Sequence, residues 1–542
     1  MMKRLKLKYI AFLILGSLAS VSCQDYLEED LRSNVEADEA YTTEEGFEYL
    51  VNANYGLLRN IYGGDPWLFS AGTDMYAQGR NQQPPGLTSY TQLNSNSNGV
   101  DQLYSSCYRA IQAANTAIYY SDLTEQTTQL QNQIGEVKYL RANSYFLLVQ
   151  TYGGVGLVTD YITERTLEFN RNSAEEVYNF IISELEESLT LVGDEAFQGR
   201  VNQRAVRHLL AKVYLTRAYE DFGSATDFET AAEYADATIA GQGLTIPFQD
   251  LWTPGNEINA ETIFSVQYDT GSISTDPFSL GHKQGSYFAP YQGGSEVAGD
   301  APYRTYMLCP TQYLIDLYVE DDERWEATFM NEVYDRYYDY FDVENHSNLE
   351  VAHYYAAAWE DSQAFQDNYL AAHPNATYHP YGTYVPSTFP SADYGTIPVK
   401  KFDDPSAPFG DRTNSRDIIL SRLAETYLIA AEAYLQAGDA STGLARLNEV
   451  RQRAGVDDAT LADFDIDYIL DERARELVGE YHRWFDLKRT GTLVETASMH
   501  NYLVDEGNFA GANGELKILR PIPQSALDLN QNNSFPQNPA YQ

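Results

Sequence analysis

With 78 acidic against 36 basic residues, the 542-residue chain carries a net charge of −42 and a pI near 4.4. Binding to nucleic-acid phosphates needs clustered Lys and Arg that are scarce here, so no nucleic-acid partner is expected. The charge does not mean disorder, because 43% hydrophobic and 13% aromatic residues are too much apolar material for a solvated coil. It reads instead as the solubility of a folded surface, on a chain long enough for a large core and more than one domain.

The N-terminus opens with a basic run, Lys3, Arg4, Lys6 and Lys8, then an apolar run from Tyr9 to Leu18 too short to span a bilayer. Val21-Ser22-Cys23 follows, the pattern of a bacterial lipobox. Residues 1–22 are therefore expected to be a lipoprotein signal peptide, with Cys23 acylated and residues 23–40 an acidic tether. An ordinary signal peptide that happens to contain a cysteine is the other reading.

Residues 41–243 read as an N-terminal helical scaffold. From Thr42, the residues Phe47, Leu50, Val51, Asn54, Leu57, Leu58 and Ile61 share one helical face until Gly63-Gly64-Asp65-Pro66 ends it. A loop at 63–98 follows, carrying Asp74, Tyr76, Arg80, Tyr90 and many amides. Helices are expected again at Gly99–Tyr120, Thr124–Tyr152 and Ser173–Leu191. Leu210-Ala211-Lys212-Val213-Tyr214-Leu215 then superposes on Leu423-Ala424-Glu425-Thr426-Tyr427-Leu428, each with a second helix after it (Thr226–Gly241 and Ser441–Arg453). Large-small-large spacing lets helices approach at the alanine, as in tetratricopeptide-type repeats. The period is irregular, so the expectation is a wrapped, mainly α scaffold of helical hairpins.

Between 244 and 415 the helical rhythm fades into a loop-rich aromatic lobe. Residues 281–400 hold 17 of the 44 tyrosines, and long irregular segments in a compact protein are commonly functional. A tyrosine offers a flat apolar face and a hydroxyl rim, which matches the C–H patches and hydroxyl edges of a sugar. Candidate ligand-binding residues are Asp74, Tyr76, Arg80, Tyr90, Tyr287, Tyr291 and Tyr303, chosen by loop position and side-chain chemistry.

The C-terminal segment, 416–542, reads as helical from about Arg416 to Thr490. Leu420, Leu423, Ala424, Tyr427, Leu428, Ala431, Tyr434 and Leu435 form one stripe, Gly438 a stop, and Leu444, Leu447 and Val450 the inner face of a second helix. Glu472, Glu476 and Glu480 recur at i, i+4 beside Arg473 and Arg483; carboxylates stacked on one helix among arginines suit ion pairing, not a glycosidase cleft. His482 and Asp486 share a face, but two ligands do not make a metal site. No GxSxG, nucleotide-binding glycine run, CxxC or HxxxH spacing occurs, so neither catalysis nor a zinc site is expected. Cys107 and Cys309 are left either as a disulfide or as two buried thiols. The pair Asp403-Asp404 reads as solvated surface, with calcium the alternative and no other cofactor expected.

The run Leu470-Asp471-Glu472-Arg473-Ala474-Arg475-Glu476-Leu477-Val478-Gly479-Glu480-Tyr481-His482-Arg483-Trp484-Phe485-Asp486-Leu487-Lys488-Arg489, then Leu519-Arg520-Pro521-Ile522-Pro523 and Gln537-Asn538-Pro539-Ala540-Tyr541, resembles the C-terminal signature of the SusD/RagB family. Leu140-Arg141-Ala142 through Tyr152-Gly153-Gly154-Val155 follows that family as well, with Gly156 where a Pro is usual. The resemblance implies a SusD-like fold and a lipoprotein on the extracellular face of the outer membrane. It also implies that the chain captures oligosaccharide and acts as a lid on a SusC-like TonB-dependent transporter. RagB-type members imply a peptide-capturing alternative, and a mainly structural transporter partner is a third reading.

Overall fold

The computed structural model describes residues 37–79, 83–269, 281–288, 307–388, 395–406, 414–532 and 534–542. The segment expected to be a signal peptide, and Cys23, lie outside the described residues.

Helix α1 (Glu44–Tyr62) begins where Thr43 accepts the Gly46 N–H, with Glu44 and Glu45 in the first turn facing the positive end of the helix dipole. It buries Phe47, Val51, Asn54, Leu58 and Ile61, the face expected from spacing. α2 (Val100–Ser121), α3 (Thr128–Tyr152) and α4 (Ala174–Leu191) follow, the last started by a capping box between Ser173 and Glu176. α3 is buried on every side from Gly135 to Tyr152, so it forms the axis of the scaffold. α5 (Gln203–Ala218) and α6 (Asp227–Ile239) make one hairpin; α7 (Leu423–Gln436) and α8 (Ala440–Arg453) make another. The two hairpins stack through α6 and α7, where Asp236 takes the Tyr434 hydroxyl at 2.7 Å and Arg446 at 3.0 Å. The fold is thus mainly α, as the periodicity predicts.

Short strands tie the remainder to these helices: β1 (Tyr76–Ala77), β2 (Thr262–Val266), β3 (Cys309–Pro310), β4 (Glu332–Tyr334), β5 (Val351–Tyr355), β6 (Thr377–His379) and β7 (Ile418–Arg422). β4, β5 and β6 form one small sheet; β1 pairs with β3 and β2 with β7, both antiparallel. β7 corrects the sequence reading, which placed Leu420 on a helix. Ile418 and Ile419 are β-branched, and β2 lies alongside to take their backbone hydrogen bonds, so the chain stays extended until Leu423.

The signature segment also departs from a continuous helix. α9 (Ile466–Glu476) ends in a turn with Gly479 at φ +74° before α10 (Arg483–Arg489). A Cβ at Gly479 would lie 2.3 Å from the Phe402 ring, so the turn needs glycine for both reasons. Ion pairing of the acidic residues holds, but mostly across elements and not along α9. Arg324 reaches Glu472 at 2.6 Å and Glu476 at 3.1 Å; Arg422 reaches Glu476 at 2.5 Å and Glu480 at 2.7 Å. Lys401 closes on Glu480 at 2.5 Å, whereas the contact within α9 is Arg475 to Glu472 at 2.7 Å. All of these groups are buried.

Cys107 and Cys309 are free, buried thiols, and burial pushes both thiol pKa values up. Asp403 and Asp404 are buried too, not solvated. Asp403 accepts the Tyr337 hydroxyl, and Asp404 accepts the Ser415 N–H at 2.7 Å and its hydroxyl at 2.8 Å. Among the described residues no three His, Cys, Asp or Glu side chains are grouped to hold a metal ion.

Candidate functional site

The β1–β3 ribbon brings the 63–98 loop and the aromatic lobe together, with Tyr76 opposite Pro310 and Ala77 opposite Cys309. Leu308 N–H donates to the Tyr287 carbonyl at 2.9 Å and Thr311 N–H to the Met75 carbonyl at 3.0 Å. The two loop regions singled out in the sequence therefore meet.

The side chains singled out in them point inward. Asp74 is fully buried and takes Arg483 Nε at 2.9 Å. Tyr76, 2% exposed, packs its ring 5.2 Å from Phe288 and accepts the Gly479 N–H at 2.6 Å. Tyr90 donates to the Gly72 carbonyl at 3.0 Å and accepts Trp484 Nε1 at 3.3 Å, with Arg520 4.9 Å over its ring. Tyr287 is buried edge-on to Trp67 at 5.0 Å and donates to Asp65 at 2.5 Å. Asp74, Tyr76 and Tyr90 mount their loop on the signature segment, Tyr287 ties the lobe to the 63–98 loop, and all four are buried. The physical reason is amphipathicity: a tyrosine with one internal hydrogen-bond partner is as good a core residue as a binding one. Arg80, Tyr291 and Tyr303 lie outside the described residues.

What the ribbon does expose is a different set. Asn501, fully buried, donates to the carbonyls of Thr73 at 2.7 Å and Tyr76 at 2.9 Å, clamping the end of the helix Leu493–His500 onto the ribbon. Beside that clamp stands Tyr502, 55% exposed, whose hydroxyl donates to the Gln78 carbonyl at 3.2 Å. The His500 ring stacks on half-buried Tyr313 with centroids 4.0 Å apart, and Arg483 donates to the Tyr313 hydroxyl at 3.2 Å. Tyr313 lies in the first turn of a short helix, Gln312–Asp316, capped by Thr311. Gln312 donates to Asp316 at 2.5 Å, and the Tyr381 hydroxyl donates to the same carboxylate. Rings with solvent-facing surface, an imidazole edge, an amide and a carboxylate therefore occur along one braced edge. That set can stack on an apolar sugar face and exchange hydrogen bonds with hydroxyls.

Tyrosine density over 281–400 covered Tyr313 and Tyr381. His500 and Tyr502 carried no signal, because only the Asn501 clamp brings them to the ribbon.

Residues 260–541, more than half of the chain, match the profile described as the SusD family. The chain belongs to the SusD family. Residues 25–215 match a second profile, described as "Starch-binding associating with outer membrane". Among curated SusD-family relatives, SusD-like protein P25 of Formosa agariphila is 23% identical, over 97% of this chain and 97% of its own. A solved structure of a laminarin-binding SusD-like protein aligns with a TM-score of 0.70 at 23% identity, covering 92% of this chain and all of its own. Surface glycan-binding protein A from Bacteroides thetaiotaomicron, solved with laminarihexaose, aligns with a TM-score of 0.68 at 20% identity over 92% of this chain. These likenesses confirm the mainly helical SusD-like architecture.

Proposed function

We propose that this SusD-family chain is a non-enzymatic, lipid-anchored receptor on the extracellular face of the outer membrane. It captures an oligosaccharide and delivers it to a SusC-like TonB-dependent transporter, over which it acts as a lid. The observation that carries the binding reading is the braced edge of Tyr502, His500, Tyr313 and Tyr381. Tyr502 is held by the Gln78 carbonyl, His500 and Tyr313 by each other and Tyr381 by Asp316, so little conformational freedom is lost when a ligand docks. Support for a glycan comes from the family description and from the relatives that bind laminarin or laminarihexaose. The carboxylates of the signature are consumed in buried ion pairs, which fits binding without covalent chemistry. Cys23 supplies the anchor, and the scaffold helices supply the surface for the barrel.

The test is titration calorimetry on soluble chain beginning after Cys23. The panel holds laminarin, starch, levan, dextran, mannan, xylan, pectic and host glycans, with a mixed peptide pool alongside. Saturable binding to one glycan, weakened in Tyr502→Ala and Tyr313→Ala, is the expected result. Retention of peptides alone would replace it with the peptide-capture reading, and silence towards both would leave a transporter-partner role.

A further inference from the structure

A second concave site lies in the lobe and shares no lining residue with the edge around Tyr502. It is a cleft of about 340 Å³ walled by Trp252, Tyr340, Phe341, His346 and Lys400, with Gln249 and Thr253 among its polar groups. The Tyr340 and Phe341 rings meet nearly at right angles with centroids 5.0 Å apart, and His346 stacks on Tyr340 at 4.8 Å. These walls resemble a ligand site more than a packing defect, because aromatic side chains and polar groups converge on one space.

Lys400 sets the chemistry. It is 6% exposed, yet among the described residues its ammonium meets no carboxylate or carbonyl, only the Tyr340 ring at 3.7 Å. Its neighbour Lys401 makes the contrast, since Glu480 and the carbonyls of Glu476 and Val478 satisfy that ammonium. A nearly buried ammonium without a hydrogen-bond acceptor is costly, Glu326 and Glu332 acting on it only from beyond ion-pair distance, and here the missing acceptor borders an aromatic-walled space. An oxyanion entering it would make charge-assisted hydrogen bonds of about twice the usual strength. Resting on the glycan reading above, we propose that this cleft is a second carbohydrate subsite, specific for an acidic sugar, with the carboxylate of a uronic acid on Lys400.

The protonation of Lys400 adds a second signature. Burial lowers its amine to about 7, against the opposing pull of Glu326 and Glu332. Asp342 and His346 also face the cleft, and Lys401 adjoins it. Uronate affinity should therefore be highest below pH 7 and fall as the ammonium loses its proton above it, while neutral glucan binding stays level.

The experiment is calorimetry of the soluble chain with trigalacturonate and, separately, a neutral glucan hexasaccharide. Lys400→Met should lose about tenfold or more in trigalacturonate affinity, the scale of one charge-assisted bond, with the neutral glucan unaffected. Tyr502→Ala should do the reverse, so failure of this subsite and failure of the Tyr502 edge are distinguishable. Reductive methylation of Lys400 in the unmutated protein, read by mass spectrometry, should be slowed by trigalacturonate; this arm does not depend on a variant folding. No trigalacturonate binding, equal affinity in Lys400→Met, or an unprotected Lys400 would overturn the proposal.

Discussion

Tyr90 and Tyr502 carry the same side chain in opposite settings, and the difference decides what each does. Tyr90 is buried between the Gly72 carbonyl and Trp484, so its hydroxyl serves the fold. Tyr90→Phe should leave glycan affinity unchanged and lower stability by about 1–3 kcal/mol, the cost of stranding two buried partners, measurable by urea unfolding. Tyr502 is 55% exposed and rests on the Gln78 carbonyl. Tyr502→Ala should cost about 1–2 kcal/mol of glycan affinity, the scale of an aromatic contact, with little change in unfolding midpoint. Tyr313→Ala should weaken glycan binding by a similar amount and also destabilise, because its ring supports His500 and its hydroxyl meets Arg483. Aromatic density in the sequence identifies where tyrosines gather. It does not sort those with a buried partner from those with a wet face, since both share one composition.

At the scale of elements, the turn from α9 to α10 works as an ionic rivet. Arg324 comes from before β4 and Arg422 from the end of β7, and both converge on Glu476. Removing one member leaves buried charges unpaired, so Glu476→Gln should destabilise by about 3–5 kcal/mol, whereas a well-packed apolar replacement of the whole cluster need not. Burial by itself would raise the Glu472 carboxyl, but Arg324, Arg475 and Arg451 outweigh it and hold the pKa down to about 2. Asp486 is held at about 2 in the same way by Arg473 and Arg489, again against burial. Both folded values lie below the ordinary carboxylate values of about 4.3 and 3.9, so their stabilisation is intact above that range. It is lost as pH falls through about 4 towards 2, where the unfolded chain binds the extra protons. Urea midpoints should therefore stay level on this account from pH 7 to 5 and drop below about 4, and a flat profile down to pH 3 would contradict the pairing.

For the whole molecule, the joint between α6 and α7 closes the N-terminal scaffold onto the C-terminal hairpin across the entire lobe. The loops of the proposed binding edge are thus held by helices from both ends of the chain, and that edge needs the C-terminal segment because it is built partly from residues 76–78. Attachment, in the proposed function, is a separate matter and rests on Cys23. Cys23→Ser should abolish incorporation of radiolabelled palmitate and move the protein out of the membrane fraction while leaving glycan affinity in solution unchanged. Continued membrane retention with no label would argue against a lipid anchor.

The sequence by itself determined the helical scaffold, because periodicity and caps are local: the α1 face, the Ser173 capping box and the two alanine-spaced hairpins are readable without a partner in view. It also carried the family, through a signature whose charged residues cannot change without stranding a buried ion. Tertiary structure alone decided that Ile418–Arg422 is a strand, since β2 supplies its hydrogen bonds from far along the chain. It likewise decided that Asp74, Tyr76 and Tyr90 face inward while Tyr502 stands beside the ribbon and His500 against Tyr313. Which face of a ring meets water depends on what long-range contact covers the other, and no local pattern records that.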